Sequence, residues 1–139
     1  MELRPYRRKA YYYETDRMDI VHHSNYVRWL EEARVDLMEQ LGYPFHETEK
    51  EGLLVPVLTI ETKYKYPVRF ADEFEVRCKL TFFNGSRFEL DYEIFNITAG
   101  QISCTAHSGH CFTDISLRPV RLKNKLPGLY ESMKKALEE

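Results

Sequence analysis

The chain has 139 residues, of which 43% are hydrophobic and 30% charged, a balance typical of one globular domain rather than a disordered chain. Its 20 basic and 22 acidic side chains give a net charge of -2, so nucleic acid and anionic membranes are not favoured as partners, and no apolar stretch approaches the ~18 residues of a membrane span. The three cysteines lack CxxC spacing, which indicates buried thiols in a cytoplasmic protein rather than a disulfide framework or a zinc site.

The chain begins with a tyrosine-rich segment and a loop of mixed chemistry. Residues 4–14 predict a first strand that ends near Glu14, because tyrosine is enriched in strands. The loop that follows, TDRMDIVHHS, combines carboxylates and imidazoles with apolar side chains, as small-molecule pockets do.

A long amphipathic helix comes next. Ser24 is predicted to be its N-cap, because a hydroxyl can accept a hydrogen bond from an amide of the first turn. Apolar residues then recur every three or four positions and predict a helix of about 17 residues. Gly42 predicts its end, and residues 43–52 are interpreted as a charged connection. The predicted buried face comprises Tyr26, Trp29, Leu30, Ala33, Leu37, Met38 and Leu41.

Alternating apolar and polar residues then predict a second strand that runs through Phe70. The alternation changes phase near Leu58–Thr59, which predicts a β-bulge there. Pro67 cannot donate a hydrogen bond to a neighbouring strand, so it marks an edge position, a bulge or the end of the strand.

Three further strands complete a predicted antiparallel sheet. Residues 73–82 and 87–94 alternate cleanly and are joined by Asn84-Gly85, a strong hairpin signal. The last strand covers 102–112, where small residues allow a helix to lie close to the sheet. Its predicted inward-facing residues are Ile102, Cys104, Ala106, Ser108, His110 and Phe112.

The remaining residues, 119–139, predict a loop and a short helix whose apolar residues are Leu129, Met133 and Leu137. The order β-α-β-β-β-β therefore predicts an α+β fold in which an antiparallel sheet wraps around one long helix. We expect a single domain over residues 1–139.

The loop after the first strand carries the candidate chemistry. Asp16, His23 and the amides at the helix start can together hydrolyse an activated ester, because a carboxylate can attack a carbonyl or take a proton from water. From the residues alone, a turn role for Asp16 and helix-start roles for His22 and His23 stay open. No HxxxH or HExxH spacing favours a metal site, and His107 and His110 are interpreted as structural residues on opposite sides of a strand.

The segment TDRMDIVHHSNYVRWLEEAR, residues 15–34, resembles the signature of hotdog-fold acyl-CoA thioesterases, and more narrowly that of the 4-hydroxybenzoyl-CoA thioesterase family. The order of elements over residues 4–113 agrees with that fold. The sequence departs from the family at Asp19, where the family has a glycine that adopts positive φ at low cost. The matching positions are Asp16, Ile20-Val21, His23 and Asn25-Tyr26.

The resemblance implies hydrolysis of an acyl-CoA thioester to a carboxylic acid and free CoA, with no metal or organic cofactor beyond the CoA of the substrate. It makes Asp16 the nucleophile or general base and gives His23 the task of orienting Asp16 or the attacking water. Val21, Asn25 and Tyr26 are then expected to contact the substrate.

The resemblance also implies a homodimer whose sheets join edge to edge, with the active site between subunits and two dimers forming a tetramer. Two alternatives stay open, namely an acyl carrier protein in place of CoA and a non-catalytic acyl-CoA binding protein. The basic runs at 4–9 and 117–125 are either solvated surface or contacts for phosphate groups.

Overall fold

The computed structural model describes residues 3–16 and 18–138, so that Met1, Glu2, Arg17 and Glu139 lie outside the described residues. The strands are β1 (Tyr6–Lys9), β2 (Val57–Tyr64), β3 (Glu73–Phe83), β4 (Arg87–Asn96) and β5 (Gln101–Cys111). The α-helices are α1 (Ser24–Gln40), α2 (Phe45–Lys50), α3 (Leu122–Lys125) and α4 (Pro127–Glu138), and a 3₁₀ helix covers Tyr12–Glu14.

The strands form one five-stranded antiparallel sheet in the order β1-β3-β4-β5-β2. Helix α1 packs on one face of this sheet, where the ring of Trp29 stacks on Phe74 with centroids 4.0 Å apart. All seven residues of the predicted helix face are buried, which confirms the helix and the α+β class. No helix among the described residues is long and apolar enough to cross a membrane.

The two ends of α1 are fixed differently from each other. At the start, Ser24 is the first helical residue rather than the predicted N-cap, and its amide donates to Nδ1 of His22 at 3.2 Å. The imidazole thus takes the capping role. At the end, Gly42 adopts φ 88° as predicted, which lets the Tyr43 amide donate to the Met38 carbonyl at 2.9 Å in a Schellman motif.

The predicted strands are confirmed in number, and their bounds differ at two places. The first strand ends at Lys9 rather than near Glu14, because the chain turns back so that the Tyr11 amide can donate to the Glu14 carboxylate. The second ends at Tyr64, and Pro67 follows it. The bulge predicted near Leu58–Thr59 is confirmed by a register shift between Val57 and Thr59.

Two predicted buried residues are exposed for identifiable reasons. Ile102 is 38% exposed because a register shift pairs Ile94 with Cys104 and leaves Ser103 as an extra residue, which turns Ile102 outward. Leu137 is 37% exposed because the buried face of α4 continues from Met133 to Ala136, three positions later, and not to Leu137. The predicted connection 43–52 also contains the short helix α2. The buried residues of α4 are Leu129, Met133 and Ala136.

A chain of polar groups crosses the core between α1 and the sheet. Arg34, which is buried, donates from Nη1 to the Tyr92 hydroxyl at 3.1 Å. Tyr92 and Ser108 share a hydrogen bond of 2.6 Å, and Ser108 Oγ lies 2.7 Å from Nε2 of His110. Arg34 can only donate, whereas either oxygen of the Tyr92–Ser108 pair can be the donor. Burial at the end of this network lowers the pKa of His110 and favours its neutral imidazole.

We predict that His110 makes the stability of the fold depend on pH. Burial, followed by the charge of Arg34, lowers the pKa of His110 from 6.5 to about 4. The unfolded chain then binds a proton that the folded chain excludes, so this stabilisation is present above pH 6.5 and is lost as the pH falls through about 4. In urea unfolding of the wild type, we expect His110 to change the free energy of unfolding by on the order of 3 kcal/mol across that pH range. We expect this change to be absent in His110→Gln.

Comparing the wild type with His110→Gln isolates the contribution of His110, because the two proteins share every other titrating group. His107 has the opposite sign, since the Asp91 and Glu89 carboxylates accept hydrogen bonds from its ring and raise its pKa, so that its contribution is lost as the pH rises. Equal slopes of unfolding free energy against pH for the wild type and His110→Gln would contradict the prediction.

Candidate active site

The loop between the 3₁₀ helix and α1 is held by the buried carboxylate of Glu14. Arg8 forms an ion pair with this carboxylate, and the Trp29 indole N–H donates to Oε2 at 2.8 Å. The Glu14 carbonyl accepts from the His22 amide and from Asn25 Nδ2, both at 2.9 Å. One residue therefore ties β1, both ends of the loop and α1 together.

Asp16 lies in a tight turn at the exposed tip of this loop. Its amide donates to the Ile20 carbonyl at 2.9 Å, and its Oδ1 accepts from the Met18 amide at 3.1 Å. Within the described part of the chain, Oδ2 receives no hydrogen bond. Asp19 adopts φ 60°, so the turn keeps the backbone conformation that the family's glycine would take. The turn thus presents Oδ2 at an exposed position, without a hydrogen bond from the residues that the structure describes.

A groove of about 540 Å³ lies beside the loop, between the start of α1 and the end of β2. Its wall is mostly aromatic and apolar, as is common for small-molecule sites. His23 closes one side, with its ring centroid 6.1 Å from that of Tyr64. The residues that define the groove include Ile20, Val21, His23, Tyr26, Tyr64 and Tyr66.

The structure brings together three of the five residues that the sequence proposes for the site. Val21, His23 and Tyr26 line the groove. Asn25 does not line it, because its buried amide is engaged with the Glu14 carbonyl and with Arg28. Asp16 stands outside the wall of the groove, in the turn whose closing residues Ile20 and Val21 form that wall.

The amides at the start of α1 are mostly occupied by the chain itself. The Asn25 amide donates to the His22 carbonyl at 3.0 Å and the Tyr26 amide to the His23 carbonyl at 3.1 Å. Ser24 donates to the His22 ring. The His23 amide has no hydrogen-bond partner among the residues that the structure describes. It is the donor left at this helix end for an oxygen of a ligand.

Sequence reasoning missed Glu14, although one signal pointed to it. A Trp on the buried face of a helix needs an acceptor for its indole N–H, and an acidic residue just before the loop can supply it. The described residues contain no group of three or more His, Cys, Asp and Glu side chains placed to hold a metal ion.

Comparison with known proteins gives a consistent result. Residues 12–137 match the family described as the thioesterase-like superfamily. The chain is 35% identical over 126 residues to a putative acyl-CoA thioesterase of Bacillus subtilis, covering 90% of this chain and 91% of that protein. It is 25% identical over 131 residues to a 1,4-dihydroxy-2-naphthoyl-CoA hydrolase of Thermosynechococcus vestitus, covering 94% and 90%. A DHNA-CoA thioesterase structure from Staphylococcus aureus superimposes with a TM-score of 0.89 at 29% identity, covering 94% and 88%.

We predict that the Glu14 carboxylate is the main electrostatic anchor of the loop. Glu14→Gln keeps an acceptor for Trp29 but leaves the Arg8 guanidinium, whose side chain is 10% exposed, with Glu32 alone, so we expect the free energy of unfolding to fall by about 2–4 kcal/mol. Glu32→Gln changes the same charge at a side chain that is 36% exposed, and we expect a loss below about 1 kcal/mol. Urea unfolding of both variants tests this ranking, and equal losses would refute it.

Proposed function

Because the chain belongs to the thioesterase-like superfamily and has the hotdog fold, we propose that it hydrolyses acyl-CoA thioesters to a carboxylic acid and free coenzyme A. The observation that carries the proposal is an apolar groove lined by His23, with the exposed Asp16 carboxylate in the turn whose closing residues Ile20 and Val21 form part of its wall. The narrower likeness to 4-hydroxybenzoyl-CoA thioesterases stays a prediction.

In the proposed reaction, Asp16 acts as general base or as nucleophile. As a base, it takes a proton from a water molecule whose oxygen bonds to the thioester carbon. As a nucleophile, its carboxylate forms an anhydride with the acyl group, which water then hydrolyses. In both routes the carbonyl oxygen becomes an oxyanion, the C–S bond breaks, and the CoA thiolate takes up a proton.

The oxyanion is the species that the start of α1 is suited to stabilise. The His23 amide stands at the positive end of the helix dipole and donates to no group among the described residues. The His23 imidazole lines the same groove and is exposed, so it is placed to orient the attacking water. A thioester is already activated, so the proposal requires no metal or organic cofactor.

The edge strand β2 supports the proposal of a homodimer. Ile60 and Tyr64 pair with the buried Ser108 and Cys104 on the helix side of the sheet, yet they are 37% and 48% exposed. Tyr64 keeps this exposure although its ring lies 5.2 Å from that of Tyr26 on α1, and the outer edge of β2 pairs with no strand among the described residues. Antiparallel pairing with β2 of a second copy would satisfy this edge and place the groove between protomers. Two such dimers would form the tetramer implied by the family resemblance.

Charge around the groove bears on the carrier of the acyl group. Lys65 lines the groove and is exposed, which suits the phosphates of CoA. In the first basic run, Arg8 is bound to Glu14 and Glu32, so its charge is used inside the fold. In the second, Lys123 and Lys125 are exposed, which leaves acyl carrier protein as the alternative carrier.

We predict that Asp16 is essential for turnover. Release of free thiol from short, long and aromatic acyl-CoAs should be measured for the wild type, Asp16→Asn and the control Asp19→Asn. We expect Asp16→Asn to lower kcat by about 100-fold or more, because the base or nucleophile is lost. Asp19→Asn removes the same charge three residues away and keeps a residue that tolerates positive φ, so we expect a change below about 3-fold.

Three outcomes are informative beyond this expectation. Full activity in folded Asp16→Asn would refute its catalytic role. A wild type that hydrolyses acyl carrier protein thioesters in place of CoA thioesters would favour the alternative carrier. Binding of acyl-CoA without any thiol release would identify a binding protein.

We predict that β2 forms the dimer interface. Ile60→Lys should convert a dimer of about twice 16.6 kDa into a monomer in light scattering and abolish thiol release, because a lysine would be buried without a partner. Leu137→Lys is a matched control, since Leu137 is also 37% exposed but lies on α4. It should leave both the mass and the activity unchanged; a monomeric wild type would exclude the interface.

A further inference from the structure

The turn between β5 and α3 presents two large aliphatic side chains to solvent. Ile115 is 75% exposed and Leu117 is 65% exposed, more than any other Val, Leu or Ile among the described residues. The base of the turn lies beside the start of β2, where Thr113 forms a bridge with Leu54. The groove near Asp16 lies at the other end of β2, so the groove of the same chain does not account for this apolar pair.

Hydrogen bonds within the turn hold the two side chains outward. Asp114 Oδ1 accepts from the Ser116 amide at 2.8 Å and from the Arg118 amide at 3.0 Å. The Leu117 amide donates to the Asp114 carbonyl at 3.0 Å, and Leu117 adopts φ 63°. This left-handed conformation is costly for a residue with a Cβ and cheap for glycine. The turn therefore carries a large apolar side chain at a position where glycine would cost less.

Basic side chains follow the turn directly, and the segment 115–125 contains no acidic residue. Arg118 is paired with Asp114, with Nε 3.4 Å from Oδ2. Three further cations are exposed and form no ion pair within the part of the chain that the structure describes, namely Arg121, Lys123 and Lys125. The net charge of -2 is thus unevenly distributed, with an excess of positive charge beside the apolar turn.

The apolar and basic groups form one continuous surface. A Cβ placed on Gly52 would lie 3.9 Å from Ile115 Cγ2 and 3.8 Å from Lys125 Nζ, so both side chains flank the same glycine. Glu51, the acidic residue next to Gly52, forms no ion pair with Lys125. We call this surface the docking tip and define it by its members: Ile115, Leu117, Arg121, Lys123 and Lys125.

We infer that the docking tip attaches the protein to an anionic lipid bilayer, with its two aliphatic side chains among the acyl chains and its three cations at the lipid phosphates. A few apolar side chains beside a cluster of Lys and Arg bind such a surface, because the hydrophobic and electrostatic contributions add. A single protruding turn is too small for a stable protein interface, which buries roughly 800 Å² per partner. The inference does not depend on the proposed thioesterase activity.

The first test is co-sedimentation of the full chain with vesicles. One set contains phosphatidylglycerol and phosphatidylcholine in equal parts, and the other contains phosphatidylcholine alone. We expect the wild type to bind the anionic vesicles about 10-fold more tightly or better. Raising the salt should weaken this binding, because the Debye length falls from about 10 Å at 0.1 M to about 3 Å at 1 M. A wild type that does not sediment with anionic vesicles at low salt would overturn the inference.

Variants separate the two contributions. Leu117→Gly removes the apolar side chain and suits the positive φ, so the fold is retained and the vesicle partition coefficient should fall about 10-fold or more. Lys123→Gln combined with Lys125→Gln should lower it by about 10-fold. The control, Lys63→Gln combined with Lys79→Gln, removes the same charge from exposed lysines of the sheet and should change it by less than about 3-fold. Equal losses in control and tip variants would mean adsorption by overall charge and would overturn the docking tip.

The variant Ile115→Trp reports insertion directly. The chain has one tryptophan, Trp29, which is 0% exposed, so the added indole is the only one in contact with water. We expect its fluorescence emission to move to shorter wavelengths with anionic vesicles and to stay unchanged with phosphatidylcholine, because indole favours the interface of a bilayer over water. An unchanged spectrum of vesicle-bound protein would overturn insertion of the turn.

Kinetics with hexanoyl-CoA in the absence of vesicles distinguish lipid phosphates from the phosphates of CoA. We expect the Lys123→Gln, Lys125→Gln double variant to keep kcat/KM within about 3-fold of wild type. A raised KM for hexanoyl-CoA would make these lysines contacts for CoA, and a raised KM only for an acyl carrier protein thioester would assign the surface to that protein; either result would overturn the inference. Vesicle binding by a wild type that releases no thiol would overturn the proposed function alone.

Discussion

The geometry of the candidate site depends on one buried carboxylate. Glu14 is 3% exposed, and Arg8, the Trp29 indole and the Tyr11 amide together replace the hydrogen bonds with water that its carboxylate loses on burial. The same residue receives two hydrogen bonds at its carbonyl from the start of α1. A loop that is anchored at its base in this way can hold Asp16 at an exposed tip without other support from the core.

A second buried charge contrasts with the first and is informative for that reason. Glu14 has its cation within the chain, whereas Arg34 has a neutral hydroxyl as partner and a cavity beside it. Both groups lose solvation on burial, so each needs a compensating partner. For Glu14 the partner is a structural residue, which makes the network part of the fold. For Arg34 the partner is a hydroxyl of the sheet, so its hydrogen bond links α1 to the polar network that ends at His110.

The sequence predicts the frame of this molecule better than it predicts the details of the site. Helix α1 is identifiable because its seven apolar residues recur with helical period, and the hairpin at Asn84-Gly85 because both residues accept positive φ. The exposure of Ile102 is not predictable, since one extra residue in β5 reverses the alternation. Val21, His23 and Tyr26 are adjacent along the chain and therefore share a wall. Asn25 lies between them in the sequence but not in the groove, because its amide donates to the Glu14 carbonyl.

Asp19 shows how a departure from a family pattern can be read physically. An aspartate at φ 60° occupies a conformation that costs a residue with a Cβ more than it costs glycine. The turn keeps this conformation through hydrogen bonds between Asp16 and its neighbours, and that reduces the range of other shapes the loop can adopt. A loop restricted in this way holds the Asp16 carboxylate in one position, as a group that must meet a single reacting atom requires.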